Sequence, residues 1–515
     1  MVQKIGASNI KAFITDSASN AKACGKALEA KYPHIIWMPC AVHCIDLLLE
    51  DIGKLDWAAE IIEEGKDVVK YFKAHQWTLG ELRQISKVKL ELLLPGDTRF
   101  GTEFLMVSRA VEKRDDLQAT VRSDVWTAHM PKPKKVGARQ SGASANASTS
   151  KAGRQSKPSQ KAAQAANVEA AVLQEKSAAQ KAADQVKDVH DAVLDEEMWV
   201  KMEFLVDVCK PIIMLLRFCD SDALGISKLY YRCSMLQTWI KACNGDKESI
   251  AAIDEYRTSM LKAEKGEKYV VSESDLFVPS FEDMEKMLKL QPGTINKQLM
   301  GIVRKRWDML HTPLHAAAYV LDLEYHGQLD EICNNEEVMS GFEEVLKKYA
   351  STVAEELELR QEWSAYQHKE GVFCGTNELM WTAARTMPAH KWWYEFARGS
   401  KKLRAVALRV LSTCMSSGGL ERSWSNFDFI HNDKRNKLTP QRANALVSIF
   451  SDMKLMRAKA RSASQGRDND TIPWMWREDE EDQQVEEEEE EELVLETEAA
   501  ATTAEELDMT MSDLD

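Results

Sequence analysis

Two short stretches decide the fold class: Ile10-Lys11-Ala12-Phe13-Ile14-Thr15-Asp16 and His34-Ile35-Ile36-Trp37-Met38-Pro39-Cys40-Ala41-Val42-His43. Each is a run of strand-forming apolar residues closed by a residue that ends a strand. Asp16 or Ser17 can cap a helix that begins near Ala18 and ends by Pro33. Past Pro39 a second helix sets Ile45, Leu48, Leu49 and Ile52 on one face. Strand, helix, strand, helix predicts a parallel crossover, and so an α/β layer with helices on the sheet faces. Two strands are not a sheet, and nothing downstream supplies an obvious series of others.

Beyond this layer the pattern turns helical. Trp199, Met202, Leu205, Cys209, Ile212, Leu216 and Cys219 recur at three- and four-residue steps, with Pro211 expected to kink or restart the helix. Near the end, Thr439-Pro440 reads as a cap with proline at the first helical position. Ala443, Leu446, Val447, Phe450 and Met453 then form one apolar stripe, which is either core or an interface. The fold class is mixed α/β and mostly α.

With 515 residues, 44 % of them hydrophobic, the chain can build two to four domains. No run approaches the ~18 apolar residues of a membrane span, and Met1 to Gly6 lacks the apolar stretch of a signal peptide. An intracellular protein is expected, and its ten cysteines are read as thiols. The net charge of −15 is carried by the end of the chain: residues 466–515 hold 21 Asp and Glu against two Arg, which leaves residues 1–465 at +4. The block Glu486 to Glu492 repels itself and reads as a disordered acidic tail. Such a tail is a solubilising segment, or a histone-binding or autoinhibitory one that competes with DNA for basic surface. Pro131 to Lys187, with 11 basic and three acidic residues and few large apolar ones, reads as a disordered basic linker. Its Pro131-Lys132-Pro133-Lys134-Lys135 has the composition of a nuclear import signal or of a plain solvated linker.

Three places carry candidate chemistry. Asp16 stands at the carboxyl end of a strand, where open α/β sheets keep their ligand-binding groups, though a helix cap is the simpler local reading. Cys40 and His43 form a CxxH pair without the second pair that zinc needs, so the default is a buried thiol and a hydrogen-bonded imidazole. Glu421 follows the flexible Ser416-Ser417-Gly418-Gly419, where a glutamate in the first turn of a helix favours the helix dipole. No phosphate-binding glycine loop, nucleophile elbow or dinucleotide fingerprint is present, and no small-molecule substrate is implied.

Taken together, Phe13-Ile14-Thr15-Asp16-Ser17-Ala18-Ser19-Asn20, Lys31-Tyr32-Pro33-His34-Ile35 and Pro39-Cys40-Ala41-Val42-His43-Cys44-Ile45-Asp46-Leu47 resemble the transposase-core segment of hAT-superfamily (Activator/hobo-like) DNA transposases. Leu216-Arg217 with Asp220, and Arg306-Trp307 to Pro313-Leu314-His315-Ala316-Ala317-Ala318-Tyr319-Val320-Leu321, resemble that superfamily's helical insertion. Trp392-Trp393 to Phe396, Leu420-Glu421-Arg422-Ser423-Trp424-Ser425 and Ile430 to Leu438 are similar to its C-terminal dimerisation region. The resemblance implies a ribonuclease H-like catalytic domain split by an all-helical insertion, and two-metal DNA excision and joining by carboxylates in the order Asp, Asp, Glu. Asp16 matches the second aspartate and Glu421 the glutamate, together the expected Mg²⁺ or Mn²⁺ ligands if any activity remains. Cys40 and His43 match the family's DNA-positioning CxxH, and Trp307 more loosely its hairpin-end tryptophan.

The first aspartate and the zinc finger that precede these blocks in the family are expected to be missing, because only 15 residues stand before Asp16. The resulting expectation is a partial ribonuclease H-like core at 1–125, a linker at 131–187, a helical insertion at 188–395, a dimerisation region at 396–460 and an acidic tail at 466–515. Dimerisation is expected to involve Trp424, Phe427, Leu446, Val447, Phe450 and Met453. The function expected is that of a catalytically inactive, nuclear, DNA-associated homodimer or higher oligomer, a decayed or domesticated transposase. The competing readings are a metal-dependent transposase or nuclease completed by a partner chain, and a structural chromatin protein acting through linker and tail. Asp16 and Glu421 are expected near each other at one sheet edge, with Cys40 and His43 on the same side.

Overall fold

The computed structural model describes residues 2–86, 90–96, 101–130, 181, 184–220, 224–243, 246–262, 293–374, 378–384, 387–420, 424, 427, 430 and 439–464. The expected linker other than residues 181 and 184–187, its basic cluster at 131–135 and the acidic tail lie outside these residues. The described chain is mostly helical with mixed α/β character, and its strands are β1, Ala12–Thr15, and β2, Ile36–Pro39. They pair in parallel, with Ala12 opposite Ile36 and Thr15 opposite Pro39. The Ser19–Lys31 helix makes the crossover and the Ala41–Gly53 helix follows β2, as the alternation of patterns predicts. The chain divides into two compact units, one of Met1–Ala58, Asp97–Gly101 and Val206–Asp515, the other of Ala59–Gly96 and Thr102–Leu205.

In the first unit the small sheet is unequal. β2 is largely buried, whereas all four residues of β1 are half-buried. The Ala41–Gly53 helix buries Ile45, Leu48, Leu49 and Ile52, the face that its periodicity indicates. The crossover helix buries only Gly25. A Cβ there would stand 2.2 Å from the Trp37 ring, so glycine lets the helix ride directly on that indole. Trp37 is pinned in turn: its Nε1–H donates to Thr15 Oγ1 at 2.9 Å and its backbone N–H to Glu29 at 3.0 Å.

The helical part of this unit is organised around Pro313–Val320, a segment whose residues from Leu314 to Val320 are all buried. Its start is fixed by a capping box between Thr312 and His315 with proline in the first turn. The Glu336–Tyr349 helix approaches it closely at Gly341, where a Cβ would lie 2.8 Å from that of Ala316. Trp393 donates its Nε1–H to Leu321 O at 2.8 Å and Trp392 to Met380 O at 2.7 Å, joining Ala389–Phe396 to the same core. Pro211 neither breaks nor restarts its helix, which runs unbroken from Glu196 to Asp220. Pro211 and its neighbours Cys209, Ile212 and Leu215 are buried, and that packing offsets the ~3 kcal/mol cost of an interior proline. Of the stripe read from the sequence, all but the half-buried Leu216 are fully buried.

The second unit is helical. Phe72, Leu82, Phe104, Leu117, Trp126, Trp199 and Leu205 are buried in it, with Phe72 stacked on Trp126 at 5.4 Å. Arg114 ties its late helix to the middle, pairing with Glu196 and with Glu203 at 2.9 Å.

Gly25→Ala should force Trp37 out of register with Thr15 and cost about 1–3 kcal/mol, the range for overpacking. Chemical denaturation with tryptophan fluorescence measures this, and an unchanged midpoint with an unchanged emission spectrum contradicts the contact.

Candidate functional site at the strand ends

Because β1 and β2 are parallel, their carboxyl ends meet at one edge, and the residues that follow them, Asp16 and Cys40, stand side by side there. The Cys40 N–H donates to Thr15 O at 2.6 Å. Asp16 is exposed, and its Oδ1 accepts the Ala18 N–H at 3.1 Å. This corrects the expected cap. The helix starts at Ser19, its N-cap Ala18 has no side-chain capping bond, and Asp16 closes the turn just before it. Ser17 takes no part in capping, since its hydroxyl lies 3.4 Å from the Cys44 thiol.

Cys40 is buried at the N-cap of the Ala41–Gly53 helix, and its sulfur accepts the Ser417 N–H at 3.4 Å. The adjacent Ala41 N–H, one of the donors that a helix start leaves without an internal partner, donates to Met415 O at 3.0 Å. Arg409 reaches Ile10 O at 2.7 Å, and Lys11 bonds the Ser412 hydroxyl. The segment 409–417 therefore runs along β1 and ends at the CxxH turn. Glu421, four residues further, lies outside the described residues, so its distance to Asp16 is not part of this geometry. His43 is half-buried on the first turn of the helix that Cys40 caps. Burial pushes the Cys44 thiol up to about 11, so it stays protonated and inert at neutral pH.

Among the described residues no three His, Cys, Asp or Glu side chains converge where they could hold an ion. Two-metal chemistry needs two or three acidic groups around the Mg²⁺ or Mn²⁺ ions, and of the two sequence-matched carboxylates Asp16 alone falls among the described residues.

Trp307 sits on the Gly293–Leu310 helix, half-buried, donating to Glu337 at 3.2 Å and meeting the Tyr230 ring edge-on at 5.0 Å. Its helix is fastened to the end of the Ala41–Gly53 helix by Arg306, whose guanidinium contacts Asp51 at 2.8 Å and holds that carboxyl below its usual range against the opposing effect of burial. A cavity of about 20 Å³ between the two helices is lined by Cys44, Ile45, Arg306 and Trp307. It has room for a water and not for a substrate. Sequence reading quoted Arg306 only beside Trp307 and missed its partner Asp51, along with Tyr230 and Glu337. The only local sign was the helical spacing of His311 and His315 beside Trp307.

The dimerisation candidates separate by burial. Leu446 and Phe450 are buried against Ile430, with Val447 and Met453 partly buried on the same cluster. The Arg442 N–H donates to Thr439 Oγ1 at 3.3 Å, which is the expected cap. Phe427 is half-buried, while Trp424 is 73 % and Leu420 63 % exposed.

His315 is fully buried. The Thr312 N–H donates to its Nδ1 at 3.2 Å, while its Nε2 has no hydrogen-bond partner among the described residues. Burial, with His311 beside it, depresses its affinity for a proton, from 6.5 to about 3. The unfolded chain takes up a proton on this residue below pH ~6.5 and the native chain does not until pH ~3. Stability is therefore lost as pH falls through that window, at up to about 1.4 kcal/mol per pH unit. His315→Gln should flatten the pH dependence of the melting temperature between pH 6.5 and 3. An identical slope in wild type and variant contradicts the burial of a neutral imidazole.

Residues 1–68 match the family model described as Domain of unknown function (DUF659), and residues 372–453 match that of the hAT family C-terminal dimerisation region. A search of curated proteins returned no match. The first match covers Asp16, Cys40 and His43; the second covers Trp392, Trp393, Trp424 and the Leu446–Phe450 cluster. No helix of the described residues is long and apolar enough to cross a membrane. These two matches support an hAT-superfamily transposase-like protein.

Proposed function

We propose that this hAT transposase-derived, dimerising protein associates with DNA in the nucleus without cutting it, and that β1 and β2 belong to a ribonuclease H-like layer. The observation that carries the reading is the docking of segment 409–417 along β1 and onto the Cys40 turn, which joins the two family-matched regions in one compact unit. Asp16 and Cys40 share the edge at which such sheets keep their ligands. Absence of cleavage rests on the carboxylate set: Asp16 accepts the Ala18 N–H of its own turn, and among the described residues it belongs to no group of three potential metal ligands. DNA association rests on residues 1–465, whose charge of +4 is separate from the acidic end of the chain.

The burial pattern also divides the work of dimerisation. Leu446 and Phe450 hold the final helix to its own chain, so the surface offered to a second copy is the outer one that carries Trp424 and Leu420. Large exposed apolar side chains of this kind mark contact sites when they cluster.

Light scattering of the full chain tests the reading. Trp424→Asp should shift the protein toward monomer with an unchanged melting temperature. Phe450→Asp, which puts an unpaired charge in a core, should lower the melting temperature first. A wild-type monomer at micromolar concentration, or a Trp424→Asp variant that still dimerises fully, contradicts it. Incubation with duplex DNA and Mn²⁺ should give no strand breaks. Cleavage that disappears in Asp16→Ala would overturn the non-cleaving reading.

A further inference from the structure

The two outer edges of the sheet are finished differently. In the parallel register Thr15 O takes the Cys40 N–H at 2.6 Å, so Phe13 and Thr15 turn their backbone groups toward β2, and Ala12 and Ile14 turn theirs away from it. On β2 the outward residues are Trp37 and Pro39. The Trp37 N–H is closed by the Glu29 carboxylate at 3.0 Å, and Pro39 has no N–H to offer. That edge is blunted, which is how sheets avoid recruiting further strands. β1 has no such protection. The segment 409–417 bonds Ile10 before the strand and Cys40 and Ala41 beyond its end. Between these points the N–H and C=O groups of Ala12 and Ile14 have no hydrogen-bond partner among the described residues. The strand, Ala12-Phe13-Ile14-Thr15, holds no charge, proline or glycine and is half-buried throughout. A row of open backbone groups on an uncharged edge is a template for another strand.

We infer that the free edge of β1 pairs with β1 of a second copy of this chain, antiparallel across a two-fold axis at Phe13. This gives the self-association proposed above a backbone contact and rests on that reading. Two observations select a second copy as the occupant. The segment 409–417, which bonds the chain on either side of β1, lies inside residues 372–453, the stretch matched to a dimerisation region, and the exposed Leu420 and Trp424 follow directly after it. The edge is also complementary to itself. Its outward residues alternate along the strand, so a two-fold through Phe13 sets Ala12 opposite the partner's Ile14 and Ile14 opposite the partner's Ala12. Each pair exchanges both of its N–H···O=C bonds, the hydrogen-bonded pairing of antiparallel strands, and every open group of Ala12 and Ile14 is used. The contact joins two marginal two-stranded sheets into one.

The test is hydrogen exchange resolved at the β1 amides of the full chain, run beside light scattering at the same concentrations. Where the chain is dimeric the Ala12 and Ile14 amides should be protected, and dilution into the monomer range should release both. The Phe13 amide, which faces β2 of its own chain, should stay protected throughout. Ile14→Pro removes one outward N–H per copy and leaves the bonds between β1 and β2 in place, since proline is tolerated where the N–H faces away from the sheet. It should raise the dimer dissociation constant about tenfold or more, because the two-fold makes the loss count twice. Ile14→Val, which keeps the N–H, should dimerise as wild type does. If Ile14→Pro fails to fold, the wild-type exchange pattern decides. A wild-type dimer whose Ala12 and Ile14 amides exchange as freely as an unpaired chain overturns the inference and leaves dimerisation standing. Protection that survives dilution does the same, because the edge is then covered by something other than a second copy. A folded Ile14→Pro chain with the wild-type dissociation constant also overturns it. A wild-type monomer at micromolar concentration contradicts the dimerisation reading, and the inference falls with it.

Discussion

The N–H of Ala41 is the point on which the α/β part of this protein depends. As the first residue of its helix, Ala41 has no intrahelical acceptor, and the carbonyl of Met415 fills that role from the far end of the chain. Ser417 adds a bond to the Cys40 sulfur, and Arg409 grips Ile10 at the other end of β1. A two-stranded parallel sheet is at best marginally stable alone. Here segment 409–417 acts as its outer support, so the region matched to dimerisation is also part of the wall of the strand-end site.

What could be read from the sequence was what local periodicity encodes. The two strands, the buried face of the Ala41–Gly53 helix, the Thr439 cap and the stripe through Leu446 and Phe450 all follow from residue type at fixed spacing. What could not be read depends on partners distant in sequence. Ser17 looks like a cap until its hydroxyl meets the Cys44 thiol, and Pro211 reads as a kink or a restart whereas one helix runs through it in buried surroundings. Asp51 and Arg306 are ordinary charges in the sequence, yet their pairing fixes the Trp307 helix to the CxxH helix. The same limit applies to the stripe: periodicity marks an apolar face but does not say which chain covers it, and Ile430 of this chain covers its centre.

The candidate site thus has a division of labour set by burial. Cys40 and Cys44 are interior thiols that shape a helix start, whereas Asp16 and the lysines of the next helix face water. Trp307 is held in an aromatic cluster with Tyr230 and His311. Such packing positions an indole firmly and leaves it only half-exposed. Among the described residues the sequence-matched carboxylate accessible at the edge is that of Asp16.

Hydrogen exchange resolved at the Ala41 amide tests the central claim most directly, because its acceptor lies in the docked C-terminal segment. The account predicts that Ala41 is protected in the full chain to the same degree as the interior of its helix, and that Arg409→Ala, by loosening the segment, lowers that protection while Leu48 and Leu49 keep theirs. An Ala41 amide that exchanges as fast as a frayed helix end in the wild-type protein would contradict the docking and the strand-end site built on it.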